Sequence, residues 1–204
     1  MRLYLIRHGE TQYNATGRFQ GWAEIPLNDT GIEQASRLAH RMSGLPLDTI
    51  YTSDLRRTVM TATVLAAYAK IPLIHEALFR ERNPGDLTGQ PYENAMGFFE
   101  DDSFKPPNGE STEVFHARVG EAFDWLVERE GQTQKNIAVV THGMVCSGFA
   151  RTILKIAPFT DPDFHWANTS LTVCDYKNGK WTLDILADAS HLDGLTLPDH
   201  ATGA

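Results

Sequence analysis

Two runs of consecutive apolar residues, Leu3–Ile6 and Ile137–Val140, are each followed one residue later by a His-Gly pair. Such a run puts apolar side chains on both faces of a strand, so it is expected in a sheet covered on both sides. The sequence between the runs supplies the covering helices. Thr30-Gly31-Ile32-Glu33 has the spacing of a capping box, and Ile32, Ala35, Leu38, Ala39 and Met42 then share one helical face, with Gly44 at the C′ position. A short strand over Thr49–Thr52 leads to Ser53-Asp54, N-cap candidates for a helix running to about Lys70, and another strand is expected near Ile71–Ile74. The stretch from Pro84 to Asn108 has weak periodicity and reads as loop with a short helix. Ser111 is placed to cap a long helix whose core face holds Phe115, Val119, Ala122, Phe123 and Leu126. A further helix is expected from about Met144 to Ile156, stopped by Pro158. Leu171–Tyr176 and Trp181–Leu186 flank an Asn178-Gly179 pair that favours a type I′ hairpin.

Strands alternating with helices imply an α/β fold, a three-layer sandwich with a mostly parallel sheet flanked by helices and a C-terminal antiparallel hairpin. No repeat or low-complexity tract interrupts the 204 residues, which read as one domain over 1–204. Asp and Glu total 26 against 18 Lys and Arg, a formal net charge of -8. That balance argues against nucleic acid or an anionic membrane as the main partner, since either needs a basic face. No segment reads as a signal peptide or a membrane span. Cys146 and Cys174 lack metal-type spacing and are expected as buried thiols, which together with the N-terminus gives a cytoplasmic expectation.

In sheets of this kind ligands bind beyond the carboxyl ends of the strands, where both His-Gly pairs fall. Arg7-His8-Gly9-Glu10-Thr11 follows the first run, and Thr141-His142-Gly143 follows the second. Between them Ser53-Asp54-Leu55-Arg56-Arg57-Thr58 puts two arginines on the first turn of a helix. Two imidazoles and several arginines at one sheet edge suit phosphoryl transfer. Imidazole nitrogen is a competent nucleophile at neutral pH, and guanidinium forks match the charge on phosphoryl oxygens. Arg7, Arg57 and a protonated His142 are the expected cage around a small phosphorylated substrate. Arg56 reads as a surface residue. His8-Gly9-Glu10 has the His-x-Glu spacing of zinc deaminases, but the Pro-Cys-x-x-Cys element they need is absent from the chain, as is His-Glu-x-x-His. Neither a metal nor another cofactor is expected.

Arg7-His8-Gly9-Glu10-Thr11, followed by Asn14, Arg18, Gln20 and Gly21, is similar to the opening signature of the histidine phosphatase superfamily, in its phosphoglycerate mutase-like branch. The resemblance runs from Leu3 to roughly Leu192 and includes the Ser-x-Leu-x-Arg pattern ending at Arg57, the Glu81-to-Gly89 stretch and Gly109-Glu110-Ser111. It implies that His8 is phosphorylated, that Arg7, Asn14, Arg57 and His142 hold phosphate with Gln20, Gly21 and the Gly143 N–H beside them, and that Glu81 donates a proton. Arg82 is left between contact with a substrate anion and an ordinary surface position. Met144 stands where glycine is common and Pro84 where an aromatic is frequent. Trp22, Phe98, Phe99 and Phe104 are candidates for either a leaving-group pocket or the core. His40, His75, His116, His165, His191 and His200 lack a motif, and Cys146 reads as packed rather than reactive.

The implied activity is two-step, metal-independent hydrolysis of a phosphomonoester on a small metabolite. A phosphoglycerate mutase is the rival, disfavoured by the short Gln90–Asn108 segment, and a non-catalytic phospho-ligand binder is the second. The choice of ester and a homodimer both stay open.

Overall fold

The computed structural model describes residues 1–156 and 165–195, so the expectations for Pro158 and His200 lie outside the described residues. Strands β1 (Arg2–Arg7), β2 (Thr49–Thr52), β3 (Leu73–His75), β4 (Asn136–Thr141), β5 (Leu171–Lys177) and β6 (Lys180–Asp188) form one sheet in the order β3-β2-β4-β1-β5-β6. The pairs from β3 to β1 are parallel, and β5 and β6 are antiparallel. Asn178 and Gly179 both have positive φ, 52° and 77°, as a type I′ turn requires.

The apolar runs are covered on both faces. Leu3, Leu5, Ile137 and Val139 pack with Phe115, Val119 and Phe123 of α5 (Thr112–Glu130) and with Phe149 of α6 (Gly143–Thr152). Tyr4, Ile6, Ala138 and Val140 pack on the other side with Leu38 of α2 (Asp29–Met42) and Ala62 and Leu65 of α3 (Arg56–Ala69). Two short helices, α1 (Gln12–Ala15) and α4 (Gly97–Glu100), lie in the loops beyond the strand ends. No helix of the described residues is long and apolar enough to cross a membrane.

Several boundaries differ from expectation for identifiable reasons. Helix α2 begins at Asp29 because Asn28, not Thr30, is the cap, its Oδ1 accepting from the Gly31 N–H at 2.8 Å. Glu33 bonds Arg37 one turn on instead of reaching back, and Ile32 is 47% exposed rather than in the core. Helix α3 has Leu55 as its cap, with no side-chain bond, because both polar candidates are engaged elsewhere. Ser53 Oγ lies 3.0 Å from His142 Nε2, and Asp54 pairs with Arg80. Strand β3 starts after Pro72, which has no N–H to add to a ladder. Helix α6 stops at Thr152, short of the expected Ile156, and Lys155 is left-handed with φ 55°.

Candidate active site

Register brings the two histidines together. β1 and β4 run parallel with Arg7 opposite Thr141, and the His8 N–H donates to the Thr141 carbonyl at 2.8 Å. Both chains leave the sheet at the same level, and the imidazoles of His8 and His142 sit with centroids 5.2 Å apart at 64°. β2 ends at the neighbouring position, so Ser53 meets His142 and α3 starts at the same edge. The loop after β1 packs closely on α2. A Cβ on Gly31 would lie 2.0 Å from the Glu10 carbonyl, so only glycine allows the approach.

The His8 ring is fixed from both nitrogens. Nδ1 lies 2.6 Å from the Gly9 carbonyl, which as a pure acceptor requires Nδ1–H, and Nε2 accepts from Arg57 Nε–H at 3.2 Å. Nε2 therefore carries the lone pair. Burial, then Arg57 and Arg7, hold the His8 pKa well below 6.5, so the ring is neutral at physiological pH. The same holds for His142, pushed well below 6.5 by burial and then by Arg57 and His8. On its own the fold therefore keeps His142 neutral, and the protonated form expected in the cage needs an anion beside it. Its Nδ1 has no partner among the described residues, while Nε2 faces Ser53.

Arg57 is fully buried and donates to the carbonyls of Gly21 at 2.8 Å and Ala23 at 3.1 Å. Burial lowers its pKa to about 10, which still leaves it charged at neutral pH. Arg7, also buried, donates to the Trp166 carbonyl, and burial lowers its pKa as well. Two buried guanidinium groups beside one imidazole make a strongly electropositive floor, which favours a bound anion. Glu81 lines the same pocket and feels both charges. Its carboxylate accepts from the Arg82 N–H at 2.9 Å and the Met144 N–H at 3.3 Å, on the first turn of α6. Burial raises the Glu81 pKa above 4.5, against the opposing pull of these bonds and of Arg57 and Arg7.

Arg82 is not the surface residue that one of its two expected roles required, and it lines the same pocket as Arg7 and Arg57. It is only 1% exposed, and its guanidinium donates to the carbonyls of Phe98 at 2.7 Å, Phe104 at 3.1 Å and Glu110 at 3.1 Å while lying 4.1 Å from the Phe98 ring centroid. It ties the 98–104 segment to the strand-end loops. Asn14 is buried and its Oδ1 accepts from the Thr11 N–H at 3.2 Å, which leaves the side-chain NH2 as its donor for a ligand. Gln20 and Gly21 line the same pocket, and Pro84 sits so close to Gly21 that a Cβ there would be 2.0 Å from Pro84 Cδ. Gly143 opens α6 with His142 as cap, so its N–H belongs to the unbonded first turn.

Most of these groups line a narrow cleft whose free space is about 30 Å³, within about 380 Å³ that counts the open solvent at its mouth, while His142 lies fully buried behind the lining. Arg7, Arg57, Arg82 and Glu81 are its charged lining, His8, Asn14 and Gln20 its neutral polar lining, and Phe19, Tyr92, Phe98, Phe99, Pro84 and Met144 its apolar lining. Of the aromatic candidates, Phe98 and Phe99 reach the pocket. Phe104 packs against Phe98, and Trp22 stacks on Arg80 and donates to the Glu81 carbonyl. Cys146 and Cys174 are buried, and burial raises both thiols, Cys174 to about 12. Among the described residues no group of three His, Cys, Asp or Glu is placed to share a metal ion.

Sequence reasoning missed Tyr92, Phe19, Ser53 and the Asn168-Thr169 pair. Asn168 Nδ2 and the Thr169 N–H both donate to the His8 carbonyl, at 2.9 and 3.2 Å, and so brace the loop that carries the imidazole. A polar Asn-Thr-Ser run just before an apolar strand was the available signal. Tyr92 had none, since it lies in the weakly periodic segment.

Comparison with known proteins agrees with this geometry. The model of the histidine phosphatase superfamily (branch 1) matches residues 3–189. Phosphoglycerate mutase-like protein 4 of Arabidopsis thaliana is 34% identical over 204 residues, covering 94% of this chain and 86% of that protein. Among solved structures, Bacillus stearothermophilus YhfR superposes with a TM-score of 0.84 at 28% identity, covering 94% of this chain and 99% of the other. The alpha-ribazole phosphatase from Shigella flexneri superposes with a TM-score of 0.81 at 28% identity, covering 93% and 97%.

Proposed function

The chain belongs to the histidine phosphatase superfamily, and from that premise we propose that it hydrolyses phosphate monoesters of small metabolites through a phosphohistidine on His8. The observation that carries this reading is the state of the His8 ring. Its Nδ1–H is tied to the Gly9 carbonyl and its Nε2 lone pair faces Arg57 inside the pocket. A neutral imidazole with Nε2 unprotonated is the form that attacks phosphorus.

In the first step the Nε2 lone pair forms the N–P bond in line with the departing ester oxygen. The P–O bond breaks toward that oxygen, and Glu81 gives it a proton. The raised Glu81 pKa keeps the acid form available at higher pH than for an exposed glutamate. In the second step Glu81, now a carboxylate, takes a proton from water as the water oxygen attacks phosphorus, and the N–P electrons return to Nε2. Arg7 and Arg57 stay charged through both steps and hold the phosphoryl oxygens, with the Asn14 NH2 and the Gly143 N–H as neutral donors. A phosphate dianion beside His142 would favour its protonated form, so the positive charge expected there would arrive with the substrate.

Arginine supplies the positive charge in this scheme, and no step calls for a metal. The compact 90–108 segment, held down by Arg82, supports hydrolysis over mutase chemistry, because a mutase must keep water from the phosphohistidine. His8→Ala tests the assignment. It should abolish phosphate release from phosphomonoesters with the fold retained by circular dichroism, and near-normal release would refute the reading.

A further inference from the structure

If the site is a phosphatase site, the rest of its lining bears on what the phosphate is attached to. Four rings form one cluster. Phe19 and Phe99 stack at 5.3 Å and 12°, and Tyr92 stands edge-on to both, at 5.0 and 5.1 Å. Phe98 meets Phe19 edge-on at 5.1 Å. Backbone bonds fix the two segments that carry the cluster, Phe19 N–H to the Gln90 carbonyl at 3.0 Å and Tyr92 N–H to the Gly17 carbonyl at 2.8 Å. The apolar wall is therefore built before any substrate arrives.

Its charge is equally restrictive. Only three cations line the pocket among the described residues, Arg7, Arg57 and Arg82. Arg82 spends Nε and both terminal nitrogens on three carbonyls, and Arg7 and Arg57 flank His8. The sequence has no Lys or Arg in 157–164 or 196–204, so no further guanidinium or ammonium side chain comes from there. A second anionic group on the substrate would meet aromatic rings and the Glu81 carboxylate. The Tyr92 hydroxyl makes no hydrogen bond among the described residues, and burial, against the opposing pull of Arg7, keeps it protonated and able to donate.

Resting on the phosphatase reading, we propose that this pocket selects monoesters of uncharged, ring-bearing alcohols, with Phe99 and Tyr92, backed by the buried Phe19, gripping the ring and the Tyr92 hydroxyl donating to a substrate oxygen. Esters that carry a second anion, such as phosphoglycerates, are then poor substrates.

The test compares three esters with similarly basic alkyl leaving groups, 2-phenylethyl phosphate, glycerol 1-phosphate and 3-phosphoglycerate. We expect kcat/KM to favour the phenylethyl ester by about 10-fold over the glycerol ester, and by on the order of 100-fold over the carboxylate, given what a buried ring and an unpaired anion are worth. Phe99→Ala should shrink the first ratio at least about fivefold, and Phe99→Leu should restore part of it. Tyr92→Phe should raise KM for each ester about three- to tenfold. Binding of 2-phenylethylphosphonate and 3-phosphonopropanoate, measured by calorimetry, ranks the two tails without turnover. Should no ester be hydrolysed, the phosphatase reading fails while the phosphonate ranking still judges the pocket. Equal or tighter binding of the carboxylate would overturn the inference.

Discussion

Glu81→Gln separates the chemistry of this site from its architecture. In the structure Glu81 Oε1 accepts from the Arg82 N–H at 2.9 Å and Oε2 from the Met144 N–H at 3.3 Å. Glutamine keeps one carbonyl oxygen for the shorter bond but sets an NH2 against the Met144 N–H, which costs about 1 kcal/mol for the lost bond. The opposing effect is electrostatic. Because burial raises the folded-state pKa of Glu81, its protonated form is the one the fold favours. That contribution is fully present below the ordinary value of 4.5 and is lost as the pH rises through the folded value, so at neutral pH the ionised carboxylate bears a desolvation cost that glutamine avoids. The two effects oppose each other, so Tm should fall by no more than about 4 °C, which is what the lost bond alone is worth. Catalysis should not be spared. An alkyl alcohol leaves as a strong base and needs a proton, so single-turnover phosphoenzyme formation should fall by about 10²–10⁴. With p-nitrophenyl phosphate, whose leaving group is a weak base, the fall should be much smaller. Asp86→Asn is the control, since Asp86 is exposed and bonded to Asn108 outside the pocket. Equal losses on both esters, or a comparable loss in Asp86→Asn, would refute the assignment of Glu81 as proton donor.

Arg82→Ala should lower stability by about 3–5 kcal/mol, on the order of 10 °C in Tm, because it leaves buried carbonyls unpaired and unpins the 98–104 segment; thermal unfolding at neutral pH checks it. The pH profile of kcat/KM should be a bell with both limbs displaced, the acid limb below 6.5 because His8 must be neutral and the alkaline limb above 4.5 because Glu81 must be protonated, and Glu81→Gln should lose the alkaline limb. Prolonged chelation with EDTA should leave turnover unchanged, whereas vanadate should inhibit competitively; loss of activity restored by one divalent metal would mean that arginines do not supply the charge.

How far the sequence could be read depended on the kind of contact involved. The parallel sheet followed from Leu3–Ile6 and Ile137–Val140, because a fully apolar strand leaves little choice of surroundings. The meeting of His8 and His142 needed only their matching positions after paired strands. Helix starts were misread at Thr30 and Ser53 because a polar residue at a boundary can serve a distant partner, as Ser53 serves His142. The surface alternative for Arg82 failed for a related reason. An arginine beside a glutamate resembles a surface pair, and nothing local shows that three carbonyls from 98–110 will close around it. Tyr92 was invisible because its place in the pocket is set by a backbone bond to the Gly17 carbonyl, a contact that leaves no mark on residues near Tyr92. The charge expected on His142 is not set by the ring's own position, since burial and then Arg57 keep it neutral unless an anion sits beside it.

The central claim is that the Nε2 nitrogen of His8 carries the phosphoryl group, and it has a direct measurement. Enzyme mixed with a turning-over ester is quenched in alkali within milliseconds, digested, and the phosphorylated peptide mapped by mass spectrometry. Phosphorus NMR against both phosphohistidine isomers then assigns the nitrogen. With Nδ1–H held by the Gly9 carbonyl, the account predicts an acid-labile, alkali-stable phosphate on residue 8, bonded at Nε2. A phosphate at Nδ1, on His142, or on an acid-stable oxygen such as that of Ser53 would contradict it.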